Sequence, residues 1–108
     1  MALSLFARRS ALLLCFGTTV GAAEVPAIWA AKCKGCHGDD GRGDTKMGRK
    51  HKVNDFSQAK WQADFTDEAL ADAIANGVPD TKMKSYKDVL SSSEITRLVT
   101  WIRTLKAP

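Results

Sequence analysis

The chain has 108 residues, with 16 basic and 12 acidic side chains, a formal net charge of +4 at pH 7 and three cysteines. This length predicts a single domain. The positive charge is weak evidence for nucleic-acid binding, because two of the basic residues, Arg8 and Arg9, lie in a segment that we expect to be removed.

Residues 1–23 have the pattern of a cleaved export signal. Arg8 and Arg9 provide its positive start, an apolar run follows, and residues 20–23 offer small side chains for cleavage. The apolar run is shorter than the about 18 residues of a membrane span, so a retained anchor is the weaker alternative. We therefore expect cleavage after residue 22 or 23, a periplasmic location, and a mature domain of residues 24–108 without a transmembrane span.

The mature part contains a C-x-x-C-H string near its start, Cys33-Lys34-Gly35-Cys36-His37. This string is the attachment signature of a c-type haem, in which each thiol forms a thioether with a haem vinyl group. The stability of a domain this small commonly depends on a covalent cross-link or a bound cofactor. We predict one covalent haem c bound by Cys33 and Cys36, with the imidazole of His37 as the fifth ligand of its iron.

Two other chemistries use cysteine and histidine, and both are minor alternatives here. A closed structural zinc site needs four ligands, usually as two separated pairs, and the second pair is missing because the only other histidine is His51. A thioredoxin-like dithiol site is also disfavoured, because no strand–helix–strand pattern surrounds the cysteines.

The first elements after the leader are predicted from proline, glycine and aspartate positions. Pro26 suits the first position of a helix that runs to the C-x-x-C-H string and places Cys33, Cys36 and His37 on one face. Residues 38–55 are rich in turn formers, so we expect an irregular segment that wraps the haem edge. A short helix is predicted over about residues 57–62.

Two later helices carry clearer signals. Thr66 is the expected N-cap of a helix that ends at Gly77 and turns three apolar side chains inward, those of Leu70, Ala73 and Ile74. Ser91 and Glu94 form a capping box ahead of an apolar stripe, made of Ile95, Leu98, Val99, Ile102 and Leu105. No segment alternates long enough to predict a sheet, so the fold class is all-α.

Three side chains compete to be the sixth iron ligand. Met83, in the loop before the last helix, has a soft thioether that favours reduced iron and raises the potential. Met47 follows His37 closely, so its short tether is expected to keep it on the histidine side of the ring. His51 is the other alternative, although it reads as a solvated side chain in a basic run. We favour Met83.

Tryptophans and lysines complete the set of candidate residues. Trp29 and Trp101 are expected to pack where the first and last helices cross, and Trp61 to cover the porphyrin, with donation to a propionate as its alternative. Two basic clusters are either solvated surface or a docking rim for an acidic redox partner. They consist of Lys46, Arg49, Lys50 and Lys52, and of Lys82, Lys84 and Lys87.

With these residues in place, the chain resembles a class I c-type cytochrome of the small, soluble bacterial type. The resemblance covers residues 24–108 and rests on the C-x-x-C-H string, the glycine loop 38–44, and segments 74–77 and 95–103. It implies that the first and last helices cross, that short helices and loops wrap one haem, and that Met83 binds the iron.

The chain departs from the family's pattern at three positions. Lys84 stands where the family often has a proline after the ligand methionine. Lys46 replaces another proline, and its carbonyl is the expected acceptor for the axial histidine. Val25 replaces a glycine of the first helix, so Ala27 or a changed crossing is expected to compensate.

The function predicted from these features is electron transfer, with iron cycling between Fe(II) and Fe(III) under His37 and Met83 ligation. No nucleophile–base set or pair of catalytic carboxylates indicates an enzyme. The expected partners are redox proteins, namely a dehydrogenase, oxidase or reductase, and the expected state is a monomer. A haem-based gas or ligand sensor and a haem subunit of a larger oxidoreductase are the alternatives.

Overall fold

The computed structural model describes residues 24–108, and the predicted leader, residues 1–23, lies outside the described part. Between residues 24 and 108 the regular structure is entirely helical, as expected for an all-α domain. The elements in chain order are α1 (Val25–Ile28), a π turn (Trp29–Cys33), α2 (Lys34–His37), α3 (Lys46–His51), α4 (Ala59–Asp64), α5 (Asp67–Asn76) and α6 (Ser92–Thr104). None of these helices is long and apolar enough to cross a bilayer.

The first three elements form one helical run, residues 25–37, which we call the haem-attachment helix. Pro26 lies in its first turn as predicted, where the missing backbone donor costs nothing. In the π turn, the amide of Lys34 donates to the carbonyl of Trp29, which widens the helix. Such turns are frequent at functional sites, and this one ends at the first cysteine of the C-x-x-C-H string.

The sequence prediction was wrong over part of residues 38–55, because α3 forms there. Thr45 caps this helix by accepting from the amide of Gly48 at 2.8 Å. Lys52 closes it in the left-handed conformation, with a φ of 52°. A glycine inside the helix and a non-glycine residue at its end made the segment read as a loop.

The short helix α4 begins two residues later than predicted. Ser57, its expected first residue, is instead engaged in a turn with Asp55. The amide and hydroxyl of Ser57 both donate to one carboxylate oxygen of Asp55, at 2.9 and 2.6 Å. These bonds lower the pKa of Asp55, although burial of the carboxyl opposes them.

The two helices with clear end signals are confirmed. Thr66 accepts from the amide of Ala69 at 3.1 Å, and α5 ends before Gly77. Ser91 and Glu94 form both bonds of the predicted capping box at the start of α6. Their apolar stripes are buried, with Leu70 and Ile74 on α5 and Ile95, Leu98, Val99 and Ile102 on α6.

The core is formed mainly by the haem-attachment helix, α5 and α6. The rings of Trp29 and Trp101 have centroids 6.5 Å apart, which confirms their predicted packing. Val25 is half-buried and packs against this core, whereas Ala27 is exposed. Val25 therefore lies on the packed side of this helix, and Ala27, the expected compensating residue, lies on its exposed side.

A polar network joins α6 to α4 on the far side of the core. The buried amide of Gln62 donates to the carbonyls of Phe56 and Ile102, at 2.8 and 3.0 Å. The guanidinium of Arg103 donates to the carbonyls of Gln62 and Phe65 and to the carboxylate of Asp67. This network fixes the segment that carries Phe56 and Trp61.

Candidate haem site

The predicted attachment residues lie at the end of the haem-attachment helix. Cys33, Cys36 and His37 are all half-buried, and both thiols are free. Burial raises the pKa of the Cys33 thiol to about 11, although the neighbouring Lys32 opposes the shift. A reactive redox thiol has the opposite property, a lowered pKa, so this environment favours a neutral sulfur such as a thioether.

The imidazole of His37 is enclosed by aromatic rings. It stacks on Phe56 with centroids 4.7 Å apart, and Trp29 lies 6.0 Å away. Burial lowers the pKa of His37, which favours the neutral imidazole that binds metals. Its Nδ1 is buried without a hydrogen-bond partner within residues 24–108, so the expected bond to the Lys46 carbonyl is not formed.

The glycine loop after His37 is held against the helix end by backbone contacts. Gly38 adopts a φ of +80°, and its carbonyl accepts from the indole nitrogen of Trp29 at 2.8 Å. The amide of Gly43 donates to the carbonyl of His37 at 2.8 Å. Thr45 donates from its hydroxyl to the carbonyl of Cys36 at 2.8 Å, which fastens the start of α3 to the same helix end.

Met83 lies in the connection between α5 and α6, residues 77–90, which we call the Met83 loop. Met83 is half-buried and packs against the core. Its amide donates to the Thr81 hydroxyl at 3.1 Å, and its carbonyl accepts from the amide of Val78 at 3.0 Å. A left-handed Asp80, with a φ of 61°, completes the turn. The loop therefore forms its turn without a proline after Met83, and the exposed Lys84 occupies that position.

The same loop is attached to the end of α5. Gly77 has a φ of +77°, and a Cβ at this position would lie 2.8 Å from the carbonyl oxygen of Met83. The hydroxyl of Ser85 donates to the carbonyl of Ala75 at 2.6 Å, and the amide of Tyr86 donates to that of Ile74 at 3.0 Å. These contacts hold the Met83 loop against the C-terminal end of α5.

Tyr86 joins the two halves of the site. Its hydroxyl donates to the carbonyl of Lys32 at 3.1 Å, and Lys32 directly precedes Cys33. Burial raises the pKa of Tyr86 above its ordinary value. The Met83 loop therefore lies beside the C-x-x-C-H string.

Comparison with known proteins identifies the family. The family described as cytochrome c oxidase, cbb3-type, subunit III matches residues 21–102. The chain belongs to this family. The solved structure of the KustC0563 c-type cytochrome is 32% identical, with a TM-score of 0.72, and the alignment covers 79% of this chain and 100% of that one. A mutant of the same cytochrome aligns at 32% identity and a TM-score of 0.69 over 78% of this chain and 100% of that one. A search of curated proteins found no match.

The protein is therefore a small c-type cytochrome, with covalently bound haem c and haem-based electron transfer as its chemistry. The residues fit this group. A half-buried neutral imidazole and a half-buried thioether are the iron ligands found in cytochromes c, and the two free thiols of the C-x-x-C-H string are its attachment points. Among residues 24–108, no three His, Cys, Asp or Glu side chains converge as a metal site.

The competing ligand candidates both lie on α3. Met47 is 41% exposed, whereas His51 is half-buried at the end of the helix and not solvated as expected. Trp61 stacks on Phe56 with centroids 4.2 Å apart, and its indole nitrogen is buried without a hydrogen-bond partner in the described residues. The stacking agrees with the expectation that Trp61 covers the porphyrin. The unpaired indole nitrogen leaves a hydrogen-bond donor available for a haem propionate.

Sequence reasoning missed four residues of the cytochrome site. Thr45 and Gly48 were expected in a loop; the one local signal for a helix there is Thr45 itself, because threonine is a favoured N-cap residue. Phe56, which stacks on His37, and Tyr86, which reaches Lys32, carry no local signal, because each contact joins segments distant in sequence.

Proposed function

We propose that residues 24–108 form a periplasmic electron carrier. In this domain Cys33 and Cys36 bind the haem, and His37 and Met83 bind its iron. The observation that carries the proposal is the hydrogen bond from Tyr86 to Lys32. It joins the loop that contains a half-buried methionine to the segment that contains the attachment string.

The bound haem supplies an iron that exchanges one electron between Fe(II) and Fe(III). The chain supplies a neutral His37, because burial disfavours its protonated form. It also supplies a neutral thioether from Met83, which favours reduced iron and raises the potential. Retention of both side chains in the two oxidation states keeps structural change small, which suits a carrier rather than an enzyme.

The experiment that tests this ligation replaces each methionine in turn in the haem-loaded protein. Met83→Ala is expected to remove the far-red iron–thioether absorption band and to lower the midpoint potential. Met47→Ala is the matched control, because it removes the same group from an exposed position, and both properties should stay as in the wild type. A Met83→Ala variant with the wild-type spectrum and potential would show that Met83 is not the ligand.

The docking surface is proposed to be the basic rim, which we define as Lys32, Lys34, Lys82, Lys84 and Lys87. All five side chains are exposed. The bond from Tyr86 to Lys32 joins the loop that carries three of these lysines to the helix that carries the other two. A partner of acidic surface fits this rim, and electrons would cross at the haem edge near the cysteines.

A second candidate function is that of a haem subunit in a larger oxidoreductase. The observation that favours it is the description of the matching family, which names a subunit of an oxidase. Affinity purification of the tagged chain from its native membrane and soluble fractions distinguishes the two. If the chain is isolated as a haem protein without other subunits, the result supports the electron carrier. Stoichiometric copurification with integral oxidase subunits supports the role of a subunit.

A further inference from the structure

The Met83 loop is held by three sets of hydrogen bonds that end on different parts of the molecule. One set lies within the loop, between Val78, Thr81 and Met83. A second joins the loop to the carbonyls at the end of α5. The third is the bond from the Tyr86 hydroxyl to Lys32, which crosses to the haem-attachment helix.

The partner of this hydroxyl lies in an unusual stretch of backbone. Lys32 belongs to the π turn, immediately before Cys33. The Tyr86 ring is half-buried and packs against the core, so the hydroxyl reaches the turn from a fixed ring rather than from a flexible side chain. A tyrosine hydroxyl is protonated at neutral pH and is therefore able to donate.

We propose that Tyr86 is a positioning residue for the sixth iron ligand, because its hydroxyl fastens the Met83 loop to the haem-attachment helix. The inference rests on the proposed ligation by Met83. Tyr86 does not touch iron in this role. It limits how often the loop moves away from the helix.

The size of the effect follows from the loss of one hydrogen bond. A single neutral bond changes a local equilibrium by about three- to tenfold. Opening of the loop should therefore be favoured by this factor in Tyr86→Phe, which keeps the ring and removes only the hydroxyl. Local opening of this kind is separate from global unfolding.

Two readouts on the haem-loaded ferric protein report loop opening. Hydrogen exchange of the Val78 amide, which donates to the Met83 carbonyl, reports opening whether or not Met83 binds iron. Binding of free imidazole, followed by loss of the far-red band, reports displacement of the methionine. The control is Thr66→Ala, which removes the cap at the opposite end of α5 and lowers stability by a comparable amount.

The proposal predicts that Tyr86→Phe raises both the Val78 exchange rate and the imidazole affinity by about three- to tenfold. Thr66→Ala should leave the Val78 exchange rate and the imidazole affinity at wild-type values, although this variant unfolds at a lower denaturant concentration than the wild type. Wild-type exchange of Val78 in Tyr86→Phe, or an equal increase in Thr66→Ala, would overturn the proposal. Absence of the far-red band in the wild type would instead refute ligation by Met83, and the exchange rate of Val78 would still decide whether Tyr86 holds the loop.

Discussion

Gly48 lies on α3 at the point where this helix meets the end of the haem-attachment helix. A Cβ at this position would overlap the carbonyl oxygen of Gly43 and lie 2.5 Å from that of Cys36. Both obstacles are backbone atoms, so no side-chain rotation relieves the contact. The absence of a side chain at Gly48 therefore allows α3 to close on the haem-binding string.

Gly48→Ala is expected to lower the free energy of unfolding by about 1–3 kcal/mol, because α3 must move away from Cys36. Denaturant titration of the haem-loaded protein measures the change. Gly35→Ala is the matched control, since a Cβ there meets no atom within 4 Å, and it should change stability by less than about 1 kcal/mol. Equal stability of Gly48→Ala and the wild type would refute the close packing of α3.

At the scale of elements, the sequence predicted best those helices whose ends are marked by side chains. Thr66 and Gly77 bound α5, and Ser91 with Glu94 starts α6, because capping chemistry is local and is readable from neighbouring residues. The covalent attachment string was equally readable, because its spacing is fixed by chemistry.

Elements that depend on distant contacts were harder to predict. Helix α3 is stabilised by the bond from Thr45 to the Cys36 carbonyl and by the close approach at Gly48, neither of which follows from composition. The attachment of α6 to α4 depends on Arg103 reaching Gln62, 41 positions away. Tyr86 and Lys32 are 54 positions apart, so no local pattern indicates their contact.

On the scale of the whole molecule, the proposed basic rim combines exposed lysines from two segments that are distant in sequence. Within residues 24–108, Lys34 is the one member of the rim that forms an ion pair, at 3.3 Å from the exposed Asp39. Exposed charges of one sign accelerate encounters with oppositely charged reactants and are screened by salt. The rim should therefore control rates of association more than stability.

Lys87→Glu is expected to slow electron transfer to the anionic oxidant hexacyanoferrate(III) several-fold at low ionic strength, and the difference should shrink as salt is added. Stopped-flow measurement of haem oxidation provides the rates. Lys106→Glu makes the same change of charge beyond the end of α6, outside the rim, and its effect should be clearly smaller. Equal slowing by the two variants would contradict a role specific to the rim.

The proposed function depends on one haem that is joined through thioethers to Cys33 and Cys36 of an exported domain. Intact-protein mass spectrometry of the mature protein, after extraction with acidified acetone, tests this linkage most directly because thioethers survive the treatment. We expect a chain that begins at residue 23 or 24 and retains one haem, and a Cys33→Ser, Cys36→Ser double variant that retains none. A colourless wild-type chain, with all pigment in the acetone, would show that the haem is not covalently bound.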